Sequence, residues 1–365
     1  RDVVTGPSGI ASHLAAGKIF IDTTSAEPWI TINELAPLLA ERRIRFLDAP
    51  VSGGVPAAEA GRMNFMVGGD TDVLANCRET LKILGPVVTH VGAIGSGHTI
   101  KAINMLALAA SMLSAAELAA FGVYCGHELE NIVDTMERSE GASYSTRIHF
   151  PRFIIPGNYA SGFSFNLMFK DLSIGTALAD RREVPLFLEK TTFDLYCAAE
   201  TSLRGEDNTR IVERILTRTF NKKTSETKSV MAHIPLLARA CNIIIGAETI
   251  CLGTAAGLPA EKIINVISES SGDSYAISHD IATYLRNAGR APNLSSVAEA
   301  AKAVASSVPD GQMKLPLISQ TADLCNEAIA KFGDAADCRS LVDLIVQKTK
   351  QSSASPMKRE IAIGN

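Results

Sequence analysis

The chain contains neither a C-x-x-C nor an H-x-x-x-H. Its seven cysteines (Cys77, Cys125, Cys197, Cys241, Cys251, Cys325, Cys338) are odd in number and widely spaced. This argues against a disulfide framework and for a reduced, cytoplasmic setting. The seven histidines and the carboxylates form no compact cluster with zinc spacing, so no metal is expected. Neither sign of charge dominates: 35 Lys and Arg stand against 39 Asp and Glu, a net charge of -4. No electrostatic footprint for nucleic acid follows from that balance. The opening Arg1-Asp2-Val3-Val4-Thr5-Gly6 has no basic region followed by an apolar one, so no secretory signal is expected there. The chain starts with Arg and reads as a fragment, with upstream targeting, organellar included, left open.

Hydrophobic residues make up 46% of the 365 residues and charged ones 20%. That describes a soluble globular protein large enough for two or three cores. The run from Ala102 to Cys125 is apolar enough to suggest a membrane helix, but Asn104, Ser111, Ser114 and Glu117 interrupt it. It reads as a buried helix of a soluble bundle, and no membrane partner is expected.

The chain changes character near Gly92. Before it, Lys18 to Asp22, Ile44 to Ala49, Asn64 to Gly68 and Val87 to Val91 read as strands, with helices at Pro28 to Arg42 and Thr71 to Leu84. This alternation predicts an α/β sheet that is at least partly parallel. After Gly92 nearly everything reads as helix, and it reads as helix twice. Ala116-Glu117 recurs as Ala247-Glu248, Gly126 as Gly257, Ser139 as Ser270, Gly141 as Gly272, Tyr144 as Tyr275, and Val184-Pro185-Leu186 as Leu315-Pro316-Leu317, always 131 positions apart. A duplicated helical domain is the natural reading. The expected organisation is an α/β domain at 1–92, helical domains at 93–222 and 223–350, and a flexible tail at 351–365.

The chemistry concentrates around Lys101, which opens a long helical run after the Gly95-x-Gly97 turn. A lysine near a helix N-terminus feels the positive end of the macrodipole, which disfavours its ammonium form. Ser52, Gly53 and Gly54 offer a hydroxyl and close backbone N–H groups to a small anion. Together they point to acid–base chemistry on a small carboxylate. The bland readings compete at each place: a solvated Lys101, an ordinary turn at Ser52 to Gly54, a satisfied buried amide at Asn104, a surface ion pair at Lys170-Asp171. The second copy does not repeat the chemistry. Ala232 stands where Lys101 would recur, Pro235 where Asn104 would, and the Lys170-Asp171 pair is not reproduced near Ala301-Lys302.

Four motifs in order resemble the β-hydroxyacid dehydrogenase family, which includes 3-hydroxyisobutyrate dehydrogenase, tartronate semialdehyde reductase and 6-phosphogluconate dehydrogenase. Asp22-Thr23-Thr24-Ser25-Ala26-Glu27-Pro28 is similar to the family's segment beside the nicotinamide. Asp48 to Gly54, continuing through Ala57 and Ala60-Gly61, resembles its substrate loop. Gly95-x-Gly97-x-x-x-Lys101-x-x-Asn104 resembles its catalytic-lysine motif, and Lys170-Asp171-Leu172 a later motif near cofactor and substrate. The resemblance implies a partial Rossmann-type α/β domain followed by two all-α domains like the C-terminal part of 6-phosphogluconate dehydrogenase. It implies NAD or NADP as cofactor, Lys101 as general acid and base, Ser52, Gly53, Gly54 and Asn104 on the substrate, and Thr24, Ser25 and Lys170 at the nicotinamide. The implied reaction is hydride transfer to or from a small 3-hydroxy acid or its semialdehyde. A homodimer is compatible with it, the second helical copy packing on the first.

Two departures stand out. The family's glycine-rich G-x-G-x-x-G turn is not in this sequence, and Met105 stands where close relatives often carry a second amide. The first departure keeps a non-catalytic binding or assembly protein as the alternative. An imine reductase on a related scaffold is a third reading, which Lys101 opposes.

Overall fold

β-Branched and aromatic runs bounded by turn residues make the strands of the N-terminal part. In the computed structural model, which describes residues 1–217, 230–286, 293–307, 314–333 and 336–353, these are β1 (Ile19–Asp22), β2 (Arg45–Asp48), β3 (Val51–Ser52), β4 (Asn64–Gly68) and β5 (Val87–Gly92). β1 runs parallel to β2, with Asp22 beside Asp48. β4 is antiparallel to β2 and β3 and parallel to β5, so the sheet is mixed. The four strands expected from the sequence are present; the two-residue β3 is too short to carry a periodic signal.

A helix after β1 runs through Pro28–Ile30, a π-helical turn at Thr31–Leu35, and Ala36–Glu41 (together α1). Gly54–Glu59 forms the short α2, and α3 (Thr71–Leu84) connects β4 to β5. α3 buries Val73, Leu74, Cys77 and Leu81, one stripe of an amphipathic helix, against Leu47, Phe65 and Val67 of the sheet.

Beyond β5 the structure is helical. α4 (Ser96–Tyr124) and α9 (Val230–Ala255) are the central helices of two all-α domains, and they pack along each other. Both are long and apolar enough to cross a membrane, yet both are enclosed by protein. α4 is rich in Ala, Gly and Ser, which lets its neighbours come close: a Cβ on Gly122 would sit 2.5 Å from Ile132 Cδ1. Around α4 lie α5 (Leu129–Glu137), a π-helical segment at Ser145–Ile154, α6 (Phe165–Arg182), α7 (Leu188–Leu203) and α8 (Arg210–Thr217). Around α9 lie α10 (Ala260–Ser268), Ala276–Ile281, Ala282–Leu285, α11 (Leu294–Ser307), α12 (Pro316–Phe332) and α13 (Arg339–Ser353).

The duplication is visible in space. α5 and α10 lie 131 positions apart, as do the starts of the two π-helical segments. Tyr144 N–H donates to Asp273 O at 2.8 Å and Tyr275 N–H to Ala142 O at 2.9 Å, a pair of bonds related by a local two-fold through the Ser143–Ser274 bridge. One continuous hydrophobic core runs through both domains. The sequence placed a tail from Gln351, but Gln351 to Ser353 complete the last turn of α13. Residues 354–365 of that tail, and the 222/223 boundary, lie outside the described residues.

Candidate active site

Asp48, the last residue of β2, joins the sheet to the helical domain. Its fully buried carboxylate accepts hydrogen bonds from the N–H groups of Gly95 and His98, both at 2.8 Å. These are donors that the start of α4 would otherwise leave unsatisfied. Burial pushes the Asp48 carboxyl up to about 7, although the backbone N–H groups pull the other way. Gly97 has to be glycine here, since a Cβ would lie 2.4 Å from Met66 O and 2.5 Å from Asp48 O.

One turn further along α4, Lys101 is 8% exposed and borders a cavity of about 480 Å³. Burial lowers its ammonium pKa; Asp171 opposes that shift and Lys170 reinforces it. The cause differs from the one expected. Lys101 is the sixth residue of α4, and the macrodipole acts mainly over the first turn, so desolvation rather than the helix terminus is what favours the neutral amine.

Thr24, Ser25, Ser52, Gly53, Gly54, Lys101 and Lys170, seven of the eight residues singled out in the sequence, line this cavity together. Thr24 N–H donates to Asp22 Oδ1 at 2.9 Å, shaping the loop after β1. Lys170 on α6 donates to Ser25 O at 3.0 Å and lies 3.1 Å from Asp171, so the first helical domain is tied to that loop. Ser52 is buried at the end of β3, and Gly53 follows at φ 126°, a conformation that favours glycine and turns the chain into α2.

Asn104 differs from expectation. It is fully buried and absent from the cavity wall. Its Nδ2 donates to Ser271 Oγ at 3.0 Å, and its Oδ1 accepts from Gly272 N–H at 2.9 Å. The amide is engaged by the second helical domain, because position i+3 from Lys101 falls on the side of α4 that docks there. Position i+4, Met105, is the one that faces the cavity with Lys101 and Leu108.

Most of the remaining wall was assigned no role from the sequence. Tyr144, Ile148, His149, Arg152 and Phe153 present one face of the π-helical segment, and their spacing is the signal that could have revealed them. Burial holds His149 down at about 4, so its ring is neutral, with Nδ1 3.3 Å from Ser145 Oγ. His98, behind Lys101, is likewise pushed down to about 4 by burial, against the pull of Asp22. Its Nδ1 is 2.8 Å from Thr31 Oγ1. Asn208 and Ser271 also line the cavity, and Ser271 comes from the second helical domain.

The arrangement brings a buried amine, the Ser52 to Gly54 turn and the Thr24-Ser25 loop to one cavity. Comparisons with known proteins agree. The family model described as NAD-binding of NADP-dependent 3-hydroxyisobutyrate dehydrogenase matches residues 95–215 and again 236–345. The chain belongs to this family. The NAD-binding domain of 6-phosphogluconate dehydrogenase matches residues 1–92. The chain is therefore a β-hydroxyacid dehydrogenase family member with an N-terminal Rossmann-like sheet and two helical domains.

Among its relatives, the 2-(hydroxymethyl)glutarate dehydrogenase of Eubacterium barkeri is 36% identical over 184 residues, 50% of this chain and 61% of the relative. The mitochondrial 3-hydroxyisobutyrate dehydrogenase of Mus musculus is 33% identical over 204 residues, 53% of this chain and 60% of the relative. The chain thus spans about 60% of the length of these curated relatives. A solved Mycobacterium tuberculosis 3-hydroxyisobutyrate dehydrogenase with L-serine aligns with a TM-score of 0.53 at 25% identity, covering 57% of this chain and 72% of that one.

Proposed function

We propose that the protein is an NAD(P)-dependent oxidoreductase acting on a small 3-hydroxy acid or its semialdehyde, with Lys101 as general acid and base. The observation that carries this reading is the position of Lys101: a desolvated amine lining one cavity with both the Thr24-Ser25 loop and the Ser52 to Gly54 corner. When bound, the nicotinamide supplies or accepts the hydride. Thr24, Ser25 and Lys170 would hold it at the end of β1. Ser52, Gly53 and Gly54 would hold the substrate carboxylate through a hydroxyl and backbone N–H groups. Neutral Lys101 would take the hydroxyl proton during oxidation, and its ammonium form would return a proton to the carbonyl oxygen during reduction.

The relatives named above are hydroxy-acid dehydrogenases by name, which supports this reading over a non-catalytic one. Seven free thiols, six of them buried, suit a reducing, cytoplasmic setting. The packing of α9 on α4 supports a further element of the proposal, that the second helical domain covers a face which a partner subunit would otherwise cover. Light scattering should then show no assembly larger than a dimer; a tetramer would count against it.

The test of function is a nicotinamide-fluorescence titration with a panel of hydroxy acids, on the whole protein that carries this chain and on its Lys101→Met variant. Turnover that depends on Lys101 is the expected result. Equal turnover in both proteins would eliminate the proposed mechanism.

A further inference from the structure

The loop from Glu269 to Asp273, in the second helical domain, is fixed to the first part of the chain on both sides. Asn64 Nδ2 donates to Glu269 O at 2.7 Å, and Tyr144 N–H donates to Asp273 O at 2.8 Å. Between these anchors, Asn104 grips Ser271 and Gly272. The approach is close enough that a Cβ on Gly272 would lie 2.9 Å from both Asn104 O and Asn104 Oδ1. The pseudo-symmetric position to Ser271 is Glu140, which pairs with Arg239 instead, so this use of the loop belongs to one direction only.

We infer that the second helical domain completes the substrate site, with Ser271 as a substrate-orienting hydroxyl and Asn104 as the positioning residue that aims it. The inference rests on the function proposed above. Because Gly272 N–H requires an acceptor, the Asn104 carbonyl oxygen must face it, and Nδ2 must then donate to Ser271. Ser271 Oγ is thereby an acceptor toward Asn104. Among the described residues no acceptor is recorded for its proton, and it lines the cavity. It therefore offers an O–H donor to a substrate oxygen. On the α4 side of that wall Met105 and Leu108 are apolar, so this hydroxyl adds a polar group where α4 offers none, beside Tyr144, Arg152 and Asn208 of the same cavity. The fused copy thus adds a hydroxyl to the wall that the first domain builds.

The experiment compares wild type, Ser271→Ala, Asn104→Asp and the Met105→Asn/Ser271→Ala pair in the whole protein. It uses 3-hydroxyisobutyrate and L-serine as probes, read by turnover and by calorimetric binding. Ser271→Ala should lower kcat/KM, or probe affinity, about tenfold with nicotinamide affinity unchanged, as expected for one lost hydrogen bond. Asn104→Asp should match that loss, because its carboxylate would capture the Ser271 proton. Met105→Asn, on the cavity face of α4, should restore part of the activity lost in Ser271→Ala. An unchanged Ser271→Ala beside an active wild type would overturn this inference alone. Failure of the wild type to bind or turn over either probe would overturn the proposed function, and this inference with it.

Discussion

Glu117 and Glu248, 131 positions apart, each cap a helix of the other's domain. Glu117 on α4 accepts from Leu317 N–H and Ile318 N–H at 3.1 Å through Oε2, at the start of α12. Glu248 on α9 accepts from Leu188 N–H and Glu189 N–H, each at 3.0 Å, and from Phe187 N–H, at the start of α7. Each carboxylate satisfies donors that its partner helix leaves open. The exchange therefore locks the two helical domains together through buried polar groups.

Removing either cap should be costly, since buried N–H groups would lose their acceptors. Glu117→Ala and Glu248→Ala should each lose about 2 kcal/mol or more of stability, measured by urea unfolding. Losses below about 0.5 kcal/mol would show that the exchange is incidental.

Burial pushes both Glu117 and Glu248 up to about 8, outweighing the capping N–H groups, from a usual value of 4.5. A carboxyl whose pKa is higher folded than unfolded keeps an extra proton in the native state between those values. Their contribution to stability should fall as pH rises from about 4.5 to about 8 and level off above that. The Glu117→Gln/Glu248→Gln double variant should remove that contribution, so that urea midpoints fall less steeply, or rise more, with pH across the range than in the wild type. A slope of the same size in the double variant would rule out these two groups as its source.

Lys101→Met should abolish most turnover while leaving nicotinamide affinity near wild type. Losing a positioned acid–base group costs on the order of 10²- to 10⁴-fold in rate. Steady-state rates beside a fluorescence titration separate lost chemistry from lost binding.

Oxidation requires the neutral amine, so kcat/KM for oxidation should rise with pH through the Lys101 pKa, which burial sets below 10.5. Asp171 pulls that pKa up and Lys170 pushes it down. Asp171→Asn should therefore move the rising limb to lower pH and Lys170→Met to higher pH. Shifts in the same direction would contradict the arrangement.

Gly97→Ala would force a methyl against Met66 O and Asp48 O, where no flexible side chain can yield. A loss of about 1 to 3 kcal/mol in thermal or urea unfolding is expected, with activity falling as α4 shifts under Lys101.

Much of the architecture is legible in the sequence. The strands from Ile19 to Gly92 carry contiguous apolar residues between turn signals, and the two helical domains share a constant spacing that neither composition nor chance supplies. Thr24, Ser25 and Lys170 were singled out through their resemblance to family motifs, Ser52 and Lys101 also from their own residue types and neighbours, and all five line one cavity. The origin of the Lys101 shift was not legible in the sequence. Helix position suggests the macrodipole, whereas desolvation depends on what the rest of the chain packs around the amine.

Asn104 shows where the local code ended. Spacing alone places it beside Lys101, and a position three residues on is compatible with either the cavity or the opposite wall. Only the docking of α9 and its neighbours turned Asn104 toward Gly272 and left Met105 facing the cavity. Local periodicity, motif order and the repeat were set by the chain's own sequence, because they depend on residues a few positions apart. The Glu117 and Glu248 exchange and the entry of Ser271 into the site were decided by tertiary structure, because they join groups from 59 to 201 positions apart whose meeting depends on how two whole domains pack.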